Sequence, residues 1–194
     1  LLAALALGAL IAAPAASAKS KSGVRHYSFK IGPYKIVPGQ NSIGLREIPP
    51  SARPPVDGYI TRVSPNLVYT KTGKVPPVDV IHLHHGVWIN ASRKDATSDV
   101  GFERPFAAGG EKTIFNFPKG YGYFYKKSDR WYMNDMIHNL TTEPDEIDII
   151  WKVDFIPAGS PKARRMRALR PIWMDVVNGS GYPVFNAHRG TGIN

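Results

Sequence analysis

The stretch Ile147-Asp148-Ile149-Ile150-Trp151-Lys152-Val153-Asp154-Phe155 sets the expected fold. Ile147, Ile149, Trp151, Val153 and Phe155 alternate with Asp148, Ile150, Lys152 and Asp154, which is period two with one apolar exception. Successive side chains of a strand point to opposite faces, so this segment reads as a strand with one buried face. Outward from it, short apolar runs alternate with turn residues. Strands are expected at Tyr59–Val63 and Asn66–Thr70 around Ser64-Pro65, then at Val78–Ile89, Thr113–Phe117, Tyr121–Tyr125, Tyr132–Leu140, Ile147–Ile156 and Ile172–Val177. Tyr27–Val37 adds an edge strand, and Asn90 to Gly101 reads as a polar loop. No stretch beyond the leading segment carries a sustained 3.6-residue apolar repeat. The expected class is all-β, an antiparallel β-sandwich or jelly roll.

Three of the six histidines fall within four positions of one strand, in Val80-Ile81-His82-Leu83-His84-His85-Gly86-Val87-Trp88. Imidazoles crowded this closely repel when protonated and need several hydrogen-bond partners when neutral; a bound metal removes both difficulties. In a regular strand Val78, Val80, His82, His84 and Trp88 share one face, and Ile81, Leu83, His85 and Val87 the other. His82 and His84 are then natural co-ligands. His84 and His85 reach one ion together only at a strand end or a bulge, for which Gly86 is the expected place. The third ligand is expected from another strand, at His138, which shares a face with Tyr132, Asn134, Met136 and Leu140. Asp135 points the other way and is expected to be a supporting or surface residue. His26 and His188 sit in isolated polar contexts. Donors of this kind suit copper, with zinc as the alternative metal.

The ends and the charge add context. Leu1 to Ala18 is an apolar run broken at Pro14 and closed by Ala16-Ser17-Ala18, the pattern of a cleaved secretory signal peptide whose start is missing. The expected location is therefore secreted, extracellular or periplasmic, with no membrane attachment after cleavage. Residues 19–58 read as a Pro/Gly-rich N-terminal segment and 59–194 as the β-sandwich domain, cut short at its C-terminal end. Cysteine is absent, which excludes a disulfide scaffold, thiolate-bound zinc and a blue-copper site. The net charge is +10, and its densest basic run, Lys162, Arg164, Arg165, Arg167 and Arg170, is expected to be a solvated loop between two strands rather than a site for nucleic acid or an anionic envelope polymer. Three sequons begin at Asn90, Asn139 and Asn178.

His84-His85 on an apolar strand, followed by Met136-Ile137-His138-Asn139-Leu140, a turn and the strand from Ile147 to Pro157, resembles the N-terminal half of the ascorbate-dependent type II copper monooxygenases. Peptidylglycine α-hydroxylating monooxygenase and dopamine β-monooxygenase are the best-known members. The resemblance covers Val78 to Pro157. It implies a jelly-roll domain whose copper is held by His84, His85 and His138 and passes electrons, supplied by ascorbate or another reductant, to a second copper domain that lies outside this sequence. It gives His82 no role, and the family's animal members are disulfide-rich whereas this chain has no cysteine. Two other readings compete with it: a non-catalytic metal- or ligand-binding β-sandwich using the aromatic stretch Tyr121, Tyr123, Phe124, Tyr125 and Trp131, and a cupin-like metalloenzyme using His82, His84 and His138.

Overall fold

The computed structural model describes residues 23–96, 101–110 and 112–172. They form two packed sheets of a β-sandwich. The strands are β1 (Arg25–Ile36), β2 (Asn41–Glu47), β3 (Gly58–Tyr69), β4 (Ile81–Lys94), β5 (Phe102–Gly109), β6 (Phe115–Asn116), β7 (Tyr121–Tyr125), β8 (Trp131–Asn139), β9 (Asp145–Pro157) and β10 (Arg167–Leu169). One sheet runs β1-β9-β3-β7-β10, with β6 also paired to β3; the other runs β2-β8-β4-β5. All pairings are antiparallel except that of β10 with β7. The expected all-β sandwich is the observed fold.

The alternation in β9 is realised as read. Ile147, Ile149, Trp151, Val153 and Phe155 are all buried between the sheets. Aromatic side chains join the layers across the core. Trp88 meets Trp151 with ring centroids 5.7 Å apart, Phe106 meets Tyr123 at 5.7 Å, and Tyr125 meets Trp131 at 5.8 Å. The first two pairs are edge to face and the third is tilted, and such ring contacts add to the large apolar area each ring removes from water.

Several local expectations change. The two segments expected around Ser64-Pro65 form one strand, Gly58–Tyr69, because β3 pairs with β9 along its whole length. On its other side β7 and β6 reach only Ile60 and Val63, so the N–H missing at Pro65 breaks no ladder there. Residues 25–47, set apart in the sequence as a Pro/Gly-rich segment, supply a strand to each sheet: β1 lies along β9, and β2 along β8. The stretch from Asn90 to Lys94, expected as loop, continues β4, and Phe102–Gly109 is a strand the turn signals concealed. The basic run is a short 3-10 turn at Ala163–Arg165 followed by edge strand β10, not a loop between strands. The leading segment, His188, Asn178 and the strand expected beyond Ile172 lie outside the described residues. Among the described residues no helix is long and apolar enough to cross a membrane.

The sandwich also holds a polar knot between its sheets. Asn90 donates to Tyr123 Oη at 2.9 Å and to Asp129 at 2.8 Å, and the Tyr123 hydroxyl donates to Glu103 at 2.8 Å. Burial, followed by the bond to Glu103, pushes the Tyr123 phenol far above its ordinary range. Asn90 and Asn139 are both wholly buried, and their side-chain oxygens accept from the backbone N–H groups of Ser92 and Thr141, which removes their sequons as exposed acceptors.

Candidate metal centre

The histidines assemble on the outer face of the four-stranded sheet. β4 and β8 pair with His82 opposite His138 and Leu83 opposite Ile137; then His85, not His84, stands opposite Met136. His84 is therefore an extra residue, a β-bulge. The bulge changes which side chains share a face. Ile81, Leu83 and Trp88 point into the core, while His82, His84 and His85 all lie on the outer side with His138. Trp88 is thus not on the face of His82, and the strict alternation read from the sequence holds only up to Leu83. Gly86 follows the bulge on the core side, where an added Cβ would press on Leu83 at 3.2 Å and Trp88 at 3.4 Å. Both the bulge and the lack of a side chain at Gly86 let the backbone turn back into register.

The rings form a connected group. Centroids are 4.5 Å apart for His84 and His138, 4.9 Å for His82 and His138, 5.6 Å for His84 and His85, and 6.3 Å for His82 and His84. His82 Nδ1 and His138 Nε2 are shielded from solvent and have no hydrogen-bond partner. A buried nitrogen left without a partner costs on the order of 1–3 kcal/mol. Either is a lone pair or N–H awaiting something.

His85 is held differently. Its Nε2 lies 3.1 Å from Asn134 Oδ1, so the carboxamide oxygen accepts the Nε2 proton and a neutral ring keeps its lone pair on Nδ1. That Nδ1 faces His84 Nδ1 at 3.4 Å. Two nitrogens bound to one ion at about 2.0–2.1 Å with a tetrahedral angle stand roughly 3.3–3.4 Å apart. The residues present therefore fit an imidazole-bound ion in their donor chemistry and in this spacing. Among the described residues, however, no group of three or more His, Asp or Glu side chains already stands in a metal-holding arrangement. Closing around an ion requires ring rotations, which the half-open position of these side chains permits.

Electrostatics favours the neutral, ligating form at the centre of the group. Burial, then positive charge at His84, His82 and His85, holds the His138 imidazole below its ordinary range. All four histidines read as candidates in the sequence are brought together. The remaining residues separate from them. Asp135 faces inward, buried, and pairs with Arg46 at 2.8 Å. His26 binds Asp154 at 2.7 Å on β1, in the other sheet. The role of Asn134 was not assigned from the sequence, although its position four residues before His138 on one strand face was the available signal.

The surround is apolar. Ile43 and Leu45 on β2 stand opposite Met136 and Asn134, and are 64% and 65% exposed. No protein-family model matches the chain, and no curated protein is significantly similar to it.

Proposed function

We propose that the outer face of the four-stranded sheet is a copper site in an exported monooxygenase-like protein, with His84 and His138 at its centre. The third imidazole comes from His85 in the adjacent-pair geometry or from His82 in the cross-strand geometry. The carrying observation is the pair of buried, unpartnered nitrogens, His82 Nδ1 and His138 Nε2, beside the 3.4 Å approach of His84 Nδ1 to His85 Nδ1. Bound copper would supply a one-electron relay between a reductant such as ascorbate and an acceptor copper on a second domain.

The chain's own residues have defined tasks in this reading. Asn134 fixes the tautomer of His85 so that Nδ1 points toward the ion. The bulge at His84 places two consecutive imidazoles on one face. The low proton affinity of His138 keeps a donor free at neutral pH. The site's exposure on a sheet face, rather than inside the sandwich, suits electron exchange with another domain and not an enclosed cupin-like reaction chamber.

A non-catalytic metal-binding sandwich uses the same side chains without the relay. Copper loading of the chain, desalting and metal analysis test the shared core of both. About one copper retained per chain supports it; a folded chain that retains none removes it.

A further inference from the structure

A basic strip follows the segment after β9, from Lys162 beside Gly23, just before β1, to Arg167 on the edge strand β10. Lys162, Arg164, Arg165 and Arg167 are exposed and form no ion pair among the described residues. They are not loosely held. Ala163 is buried, the Arg167 N–H donates to Gly120 O at 2.8 Å, and β10 is in register with Tyr121 to Tyr123. The backbone therefore fixes the spacing of these charges.

Beside β10 an open groove carries further cations: Arg93 and Lys94 from the end of β4, Lys126 after β7, and Arg170. Glu103 and Tyr123 form its floor. Arg93 is clamped, donating to Phe124 O at 2.8 Å and pairing with Asp129 at 2.7 Å. Arg170 approaches Glu103 at 3.7 Å while remaining mostly exposed. Four cations against the two carboxylates Glu103 and Asp129 leave the groove positive, and the strip adds four more charges. Such a concentration is self-repelling and draws in a linear polyanion.

We propose that this groove and strip bind an acidic polysaccharide, a polymer of uronic-acid type whose carboxylates meet the cations and whose sugar faces pack on Tyr59 and Phe124. Those two rings lie at the groove with centroids 5.0 Å apart, edge to face. That arrangement offers no pair of parallel open platforms of the kind that single-stranded bases stack on. The apolar leading segment, read as an export signal, also directs the chain toward envelope or matrix polymers rather than nucleic acid.

Titration of the full chain with polygalacturonate, neutral dextran and poly(dT) tests the assignment. Polygalacturonate should bind more tightly than poly(dT), dextran should not bind, and affinity should fall about tenfold or more between 50 and 200 mM salt, as polyanion binding through several cations does. The triple substitution Arg164→Glu, Arg165→Glu, Arg167→Glu should weaken binding at least ~10-fold. Lys126→Glu, in the groove itself, should weaken it several-fold with an unchanged circular-dichroism spectrum, and carries the test if the triple variant does not fold. No binding to polygalacturonate, equal or tighter binding to poly(dT), or undiminished binding by a folded charge-reversal variant each overturns the proposal.

Discussion

His82 and His138 stand directly opposite one another on β4 and β8, with ring centroids 4.9 Å apart, and each keeps one ring nitrogen that is shielded from water and bonded to nothing. Buried polar atoms are nearly always satisfied, so this facing pair of unsatisfied imidazoles supports the proposed metal site.

Replacing His84 or His138 with Ala should reduce copper affinity by at least 100-fold (~3 kcal/mol), because His84 packs against the other three rings and His138 against His82 and His84. His82→Ala and His85→Ala should each weaken binding, and their ranking separates two donor sets. A more severe His85→Ala selects the adjacent-pair geometry; a more severe His82→Ala selects the cross-strand geometry. Competition titration against a copper chelator gives all four values.

Asn134→Leu should lower copper affinity about 10- to 100-fold while leaving the fold intact, since it removes only the acceptor that orients His85. Asn134→Asp should recover part of the loss, because a carboxylate accepts the same Nε2 proton. Chelator competition on both variants checks this.

His138 should titrate below 6.5, followed by its ring proton resonances in the metal-free chain. The sign for stability follows. A histidine whose folded proton affinity is depressed contributes stability that is fully present above the unfolded value, near 6.5, and is lost as pH falls toward its folded value. Copper binding should strengthen between pH 5 and 7 for the same reason, as protons leave the competing donors. An unchanged affinity across that range would contradict histidine ligation.

Phe155, fully buried on β9 against Tyr27 and Tyr125, should cost about 3–5 kcal/mol when changed to Ala, measured by urea denaturation. Tyr125 gives a second check on the core. Burial pushes its phenol up to about 12, and its hydroxyl donates to Pro54 O at 3.0 Å. Stability held by that proton is present below pH 10 and declines as pH rises toward 12, which phenolate absorbance against pH follows.

The fold class was legible because β9 alternates with period two but for Ile150, and the sandwich is built on it. The strands that escaped notice share a different physics. β5 contains Pro105 and ends in Ala and Gly, a poor propensity for a strand, and takes its conformation from pairing with β4. Pro65 suggested a break in β3 because sequence does not reveal that one side of the strand is uncovered there. At the histidines, residue types and neighbours were legible, and so was the need for a bulge. Its position at His84 was not, since it depends on the register with β8, which places His85 and not His84 opposite Met136.

Pulsed electron spin resonance on the copper-loaded chain tests the central claim most directly, by counting the imidazoles on the metal. The account predicts three coupled histidine nitrogens in the wild type and a lower count in His138→Ala at whatever copper remains bound. A folded, copper-loaded chain whose copper shows no imidazole coupling, or one unaffected by His138→Ala, would contradict it.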